Sequence, residues 1–388
     1  MNNFVFQNPC KIYFGKGQEE NLGKALKEYT NKVLLVYGKK SIKINGIYDK
    51  VIKSLNESDI KFVELSGVKG NPEMDIVYEG IDICRKEEIN FILAVGGGSV
   101  IDTCKAISVG VCYEGDVWDF YLRKETPKQA LPIATVLTVV GAGSEMSCSN
   151  VVTKADEKLK RDFDNAIIIP KFSILNPEFT YSVNAYQTAC GSFDAISHLM
   201  ERYFCSNTRT DVTDRMIEGL IKTLIEFTPL AIEHPNNYDY RAEIMWAATL
   251  AQNGLMNTGR DGDWACHKIE HELSGEFDIP HGEGLAMIYP TWMRYAGKIR
   301  QDRIIQFGIR VFDLDLATYS PEESVEAVSN RLEQFLKEIG LKTNLKSLSI
   351  DDETAKKLAV KTTWNSPTKG KYVKLTTEDI ENIIKLAR

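Results

Sequence analysis

The stretch NFILAVGGGSVIDTCKA, residues 90–106, joins an apolar run to a glycine turn and then to a helical pattern. Asn90 to Val95 reads as a strand, Gly96, Gly97 and Gly98 as the turn, and Val100, Ile101 and Ala106 as the buried side of the helix. Three glycines let the backbone approach a ligand with no Cβ in the way. The first turn of the helix offers unpaired amides at its positive end, which suits a pyrophosphate, and Ser99 is placed to cap the helix or bond a phosphate. A tight turn without a ligand would use the same residues. The usual GxGxxG fingerprint follows the first strand of a Rossmann unit. Here the glycines follow the third predicted strand, so a standard Rossmann arrangement is not expected.

Working outward, Lys32–Tyr37, Lys61–Leu65 and Leu131–Val140 also read as strands. Residues 46–55 and 73–88 carry helical spacing between them, and Ile76, Val77, Gly80, Ile81 and Cys84 form one apolar stripe. Strands alternating with helices predict a parallel sheet covered on both faces. A second small-residue loop, Thr138 to Ser144, leaves the next strand. Two such loops at neighbouring strand ends form a crevice of the kind that holds ligands in open α/β sheets. Past residue 185 the texture changes. Residues 216–233, 240–256, 322–339 and 378–388 all repeat near 3.6, with no convincing strand. The expected fold is an α/β N-terminal dinucleotide-binding domain with a parallel sheet, residues 1–184, plus an all-α, metal-binding C-terminal domain, residues 185–388.

The chain has 388 residues and a formal net charge of −7, which argues against nucleic acid or an anionic membrane as a partner. The opening MNNFVFQNPCKIYFGKG lacks the basic and apolar regions of a secretory leader. The longest apolar stretch, Ala130 to Gly143, is too short to span a bilayer and contains Pro132. Eight scattered cysteines without a CxxC pair read as reduced thiols, so the expected location is cytoplasmic.

Only five histidines are present, and three fall between Asp263 and Gly282. His267 and His271 are four apart on one helical face, and His281 follows a link ending in Pro280. Upstream, Asp194 and His198 form a second pair with the same spacing. Imidazole and carboxylate together suit Fe²⁺ or Zn²⁺. Such an ion could bind a carbonyl oxygen and stabilise the alkoxide that develops as a nicotinamide delivers hydride. These residues exceed the ligands needed by one, and His271, bracketed by His267 and His281, is assigned to proton transfer.

In GGGSVID (96–102), GAGSE (141–145), GSFDAISH (191–198) and HKIEHELSGEFDIPHG (267–282), the chain resembles the iron-containing (group III) alcohol dehydrogenases. Within them it is similar to the butanol dehydrogenase-like branch. The resemblance covers essentially the whole chain and implies a dehydroquinate synthase-like architecture, usually as a homodimer or larger. It implies Asp194, His198, His267 and His281 as metal ligands, with His271 beside the nicotinamide. It also places Gly97, Gly98 and Ser99 on the pyrophosphate, and Asn71, Thr138 and Lys160 along the cofactor, with Gly96 and Asp102 of the same motif joining the set. Ala142 stands where many relatives carry a hydroxyl residue.

Members of the family use iron or zinc. Gly38-Lys39-Lys40-Ser41 after the first predicted strand offers no carboxylate for the adenosine ribose, so Gly38 and Ser41 join the cofactor set. This favours NADP(H) over NAD(H). The expected activity is NAD(P)-linked interconversion of a small primary alcohol and its aldehyde, such as butanol and butanal. The rivals are a glycerol dehydrogenase-like enzyme, a dehydroquinate synthase-like lyase, a nucleotide-binding regulator, and a metallopeptidase built on His267-Lys-Ile-Glu270-His271, which matches H-x-x-E-H.

Overall fold

The computed structural model describes residues 1–207 and 209–388. Its strands are β1 (Lys11–Phe14), β2 (Lys32–Tyr37), β3 (Lys61–Ser66), β4 (Ile92–Gly96), β5 (Ile133–Leu137), β6 (Ser149–Lys154), β7 (Leu159–Asp164), β8 (Phe172–Leu175), β9 (Thr368–Lys369) and β10 (Leu375–Thr376). The helices up to the middle of the chain are α1 (Leu22–Lys27), α2 (Ser41–Ile44), α3 (Ile47–Glu57), α4 (Met74–Lys86), α5 (Gly98–Val111), α6 (Trp118–Tyr121) and α7 (Ala185–Tyr203). Beyond them come α8 (Asp211–Glu233), α9 (Tyr238–Gln252), α10 (Ala265–Phe277), α11 (His281–Gly297), α12 (Asp302–Val311), α13 (Pro321–Glu338), α14 (Asp352–Thr362) and α15 (Thr377–Leu386).

These elements form two compact units. One contains Gln7–Val183 and Pro235–Asn253; the other contains Met1–Phe6, Asn184–His234 and Gly254–Arg388. Helix α9, legible as a helix from its spacing, therefore belongs with the α/β unit.

In the α/β unit, six parallel strands lie in the order β1-β8-β5-β4-β2-β3. Residues alternate between the two faces. Val33 and Leu35 of β2, with Leu93 and Val95 of β4, pack with Leu26, Val51 and Leu55 of α1 and α3. Leu34, Val36, Ile92 and Ala94 pack instead with Val77 and Ile81 of α4 and Ile101, Cys104 and Ile107 of α5. With both faces covered, every residue of β4 and β5 is buried, which is why these strands read as apolar runs, broken in β5 only by Thr135. Strand order reverses between β2 and β4: the chain leaves β2 for β3 on one side and β4 for β5 on the other. That is the topological switch point, where the carboxyl ends of an open α/β sheet leave a crevice.

The sequence reading lacked β1, β8 and the antiparallel hairpin β6–β7. With β1 counted, the glycine turn follows the fourth strand of the chain. Among the described residues the second unit is helical apart from a ladder between β9 and β10, two residues a strand, and a single antiparallel bridge between Cys205 and Gly262. Helix α11 packs on α7, α10 and α13 within it.

The helical unit is pinned by a buried ion cluster. Arg303 donates to Asp214 from Nη1 at 2.6 Å and from Nη2 at 2.7 Å, and Arg260 donates to Oδ1 of the same carboxylate. Arg303 also donates to the Tyr203 carbonyl at 2.7 Å, which ties α12 to the end of α7. Burial acts to raise the Asp214 carboxyl, but Arg303 and Arg260 overcome it and hold the pKa at about 2. A depressed carboxyl stabilises the fold above its unfolded pKa, and that contribution is lost as pH falls from about 4 toward the folded value. Asp214→Asn is expected to lower unfolding free energy by about 3–5 kcal/mol, because two buried guanidinium groups lose their counter-charge. Urea titrations at neutral pH measure this, and the variant should lack the acid-side step seen in the parent.

Candidate active site

Three helices deliver the histidine cluster, all in the helical unit. Asp194 and His198 are one turn apart on α7, and His267 and His271 one turn apart on α10. Asp278, in the left-handed conformation at the end of α10, turns the chain through Ile279 and Pro280, so that His281 is the first residue of α11. Gly282 is required next to it. A Cβ there would come within 2.0 Å of the Cys190 carbonyl oxygen, so only glycine lets α11 lie this close to α7.

The donors converge on Asp194 Oδ1. His198 Nε2 lies 3.6 Å from it, His281 Nε2 3.6 Å and His267 Nε2 4.0 Å. Ligand atoms of Asp194, His267 and His281 all lie within 4.8 Å of one another. The rings of His198 and His267 stack at 4.8 Å. His267 Nε2 is buried and makes no hydrogen bond, the expected state of a lone pair reserved for a cation. Burial, then the neighbouring imidazole, holds both His198 and His267 well below the ordinary imidazole range. They are thereby kept in the neutral form that ligates metals. The residues present fit a divalent ion of borderline softness.

His271 lies next to this group, its ring 5.7 Å from that of His281. Glu270, His271 and His281 form a second set of close donors. Its closeness comes from the hydrogen bond between Glu270 Oε2 and His281 Nδ1, whereas in the first set the Nε2 atoms of His267 and His281 face Asp194 Oδ1 at 4.0 and 3.6 Å. The metallopeptidase reading fails here. Among the described residues no donor group contains both His267 and His271. Glu270, which would have to act as base, is fully buried with Ser274 donating to its other oxygen.

The expected cofactor residues gather in the α/β unit. Tyr37 pairs with Val95, so Gly38 emerges beside Gly96 at the switch point, with Lys39, Lys40 and Ser41 exposed. Gly97, not Ser99, is the N-cap of α5. The Ser99 hydroxyl instead donates to the Gly70 carbonyl, fixing the backbone that leads into Asn71. The hairpin adds Lys160 of β7, whose Nζ donates to Asn71 Oδ1 at 3.3 Å. The Thr138 amide donates to Gly96 O at 3.0 Å, joining the loops after β4 and β5. Asp102 accepts from the Ser144 hydroxyl at 2.5 Å and the Val151 amide at 3.0 Å, contacts that tie the 141–151 segment to α5. Lys105, unflagged by the sequence, reinforces this through Ser144 Oγ at 2.8 Å and Ser149 O at 2.8 Å.

Two carboxylates stand beside the imidazoles: Glu201, which the sequence reading missed, and Glu270, which it took only as the base of the metallopeptidase motif. Glu201 accepts from His267 Nδ1 at 2.8 Å, and Glu270 is bonded to His281 Nδ1. Burial pushes Glu201 up to about 7, against the opposing pull of the His267 and Trp264 amides. A signal existed for Glu201, which follows Asp194 and His198 at spacings that keep it on the same helical face.

Residues 9–177 match the family model described as iron-containing alcohol dehydrogenase. Residues 188–388 match that of the Fe-containing alcohol dehydrogenase family, C-terminal. The chain is 42% identical over 385 residues to a probable NADH-dependent butanol dehydrogenase of Bacillus subtilis, covering 99% of each chain. It is 32% identical over 354 residues to an NADPH-dependent aldehyde reductase of Escherichia coli, covering 90% of each. Its fold matches the crystal structure of NADH-dependent butanol dehydrogenase A from Thermotoga maritima with a TM-score of 0.96. That match has 38% identity and covers 100% of this chain and 99% of that one. These likenesses set aside the glycerol dehydrogenase-like rival as well.

The crevice makes a direct demand on Gly98, where a Cβ would stand 2.5 Å from Ala142 Cβ. Gly98→Ala should push the two loops apart and weaken binding of reduced nicotinamide dinucleotide about tenfold, in line with an overpacking cost of about 1–3 kcal/mol. Titration of the cofactor's fluorescence reads this. Unchanged affinity would show that these loops do not hold it.

Proposed function

The chain belongs to the iron-containing alcohol dehydrogenase family, and we propose that it interconverts butanal and butanol, or a similarly small pair, at the Asp194 cluster. As a member of this family it is an NAD(P)-linked oxidoreductase acting on CH–OH. The observation that carries the site is the convergence of Asp194, His267 and His281 donor atoms within 4.8 Å.

Asp194, His198, His267 and His281 are the residues that would hold the ion. When bound, the ion supplies positive charge at the substrate oxygen, and the nicotinamide supplies or takes the hydride. Asp194 brings the one negative charge among the four ligands. His271, buried against His281, would give a proton from its imidazolium form to the oxygen of the product alcohol, leaving neutral imidazole, which takes the proton back in the oxidative direction. Gly96 to Ser99, with Asn71, Thr138 and Lys160, would cradle the pyrophosphate at the amino end of α5. Three imidazoles and a carboxylate suit Fe²⁺ first, as the family name implies, and Zn²⁺ by the same chemistry.

Exposed Lys39 and Lys40, with no carboxylate between Gly38 and Ser41, support NADP(H) as the preferred cofactor. The relatives pull both ways, the B. subtilis protein being named NADH-dependent and the E. coli protein NADPH-dependent. A second copy of the chain is the proposed partner. Phe4 is 53% exposed and Val5 96%, exposed apolar side chains of the kind an interface covers; sedimentation equilibrium tests this. Eight free thiols support a reducing compartment, the cytosol. Among the described residues no helix is long and apolar enough to cross a membrane.

Asp194→Asn should abolish both bound metal and turnover of butanal with reduced nicotinamide, by elemental analysis and absorbance assay. Full metal and rate would remove Asp194 from the ligand set. His271→Ala should retain metal while kcat falls on the order of 10²-fold or more, the usual scale of general acid catalysis; loss of all metal would reverse the roles of shuttle and ligand. Lys39→Ala/Lys40→Ala should lower kcat/KM for NADPH several-fold and leave that for NADH nearly unchanged. Equal effects on both would show that these lysines do not meet the 2′-phosphate.

A further inference from the structure

We infer that Glu201 and Glu270 are positioning residues of the metal centre, each fixing one ligand imidazole in the tautomer that presents Nε2 to the ion. The inference rests on the reading of the Asp194 cluster as a metal site and extends it to residues that touch no metal.

Each contact is built rather than incidental. Glu201 Oε1 accepts from both the backbone amide of His267, at 3.0 Å, and its Nδ1, at 2.8 Å. Its other oxygen takes the Trp264 amide at 2.5 Å. One buried carboxylate therefore holds the backbone and the ring of the same ligand. Trp264 adopts φ 65°, the left-handed region, which a bulky side chain rarely enters unless its surroundings hold it there. Its ring stands edge-on to His267 at 5.3 Å, with the Arg202 guanidinium 4.6 Å from it. Asp263, just before it, is fastened separately. Its amide donates to the Glu201 carbonyl at 2.7 Å, and its Oδ1 accepts from the Lys371 and Tyr372 amides, both at 2.7 Å.

At the second ligand, Glu270 Oε2 meets His281 Nδ1 and Oε1 accepts from the Ser274 hydroxyl. Gly284 makes room for it, since a Cβ there would lie 2.8 Å from Oε1. Both Glu201 oxygens already accept backbone amides, and Glu270 Oε1 accepts from Ser274, so each carboxylate serves as acceptor toward its imidazole and the ring proton sits at Nδ1. Nε2 of His267 and of His281 then carry lone pairs toward Asp194 Oδ1. His198 differs, because its Nδ1 has no hydrogen-bond partner. Carboxylate partners of this kind raise ligand basicity and orient the ring, and their loss typically weakens metal binding about 10–100-fold.

The test uses the full chain stripped of metal, titrated with Zn²⁺ against a chromophoric chelator, and the Co²⁺-loaded protein for its visible spectrum. Glu270→Gln keeps the shape and a partner for Ser274. It should weaken Zn²⁺ about 10–100-fold and alter the Co²⁺ bands, with the melting temperature of the metal-free protein nearly unchanged. Glu201→Gln should do the same; should it fail to fold, Glu270→Gln alone decides. Asp194→Asn separates the two levels of the argument. If it loses metal while Glu270→Gln binds Zn²⁺ as tightly as the parent with the same Co²⁺ spectrum, the positioning role is overturned and the site stands. If Asp194→Asn binds as the parent does, the site reading falls and this inference falls with it.

Discussion

A carboxylate oxygen and three imidazole nitrogens facing one another in a dry interior repel unless a cation sits among them. Asp194 Oδ1 has the Nε2 atoms of His198, His267 and His281 within 4.0 Å, and three of these four side chains are almost wholly buried. Desolvation without compensation is among the costliest things a fold can contain. The helical unit commits three helices to it: α7 and α10 each contribute a pair one turn apart, and α11 begins on a ligand. Gly282 and Gly284 then read as spatial consequences. One admits the α7 backbone and the other a carboxylate oxygen.

In the α/β unit the governing constraint is different. A parallel sheet buried on both faces sends its loops out at one edge, and the reversal of strand order between β2 and β4 opens a gap there. Glycines at 38 and 96 to 98 keep that gap free of side chains. The hydrogen bonds of Ser99, Lys160, Asp102 and Lys105 then bind the surrounding loops to a common frame. Small residues give access and buried polar residues give rigidity, and neither alone makes a nucleotide site.

How much of this is legible in the sequence follows from which signals are local. Buried strands such as β2, β4 and β5 announce themselves as apolar runs. The histidine cluster does so because five histidines in 388 residues rarely fall at such spacings by chance. The motifs shared with a known family carry fold and chemistry further than periodicity does. Strands β1 and β8, four residues each, are too short to display a period. The β6–β7 hairpin hides behind Lys154, Lys158, Arg161 and Asp162, whose charges imitate a loop. Glu201 looks like an ordinary helix-surface acid, and Glu270 like the base of an H-x-x-E-H motif, until tertiary packing buries both against imidazoles. Ser99 reads as a helix cap or phosphate ligand, yet it lies one residue inside α5 and its hydroxyl serves the Gly70 carbonyl across 29 residues of chain. That is a non-local fact no window reveals.

The threading of the chain has a consequence for biosynthesis. The α/β unit is incomplete until residues 235–253 have been made, and Met1–Phe6 belong with the helical unit. The Asn2 amide donates to the Gly259 carbonyl at 2.9 Å, so the earlier group waits for one made some 250 residues later. At roughly 5–20 residues a second on the ribosome, that wait lasts tens of seconds or less. Assembly of both units is therefore a late, non-local event. A nascent chain stalled before residue 235 would present unfinished apolar faces to chaperones rather than a finished nucleotide-binding half.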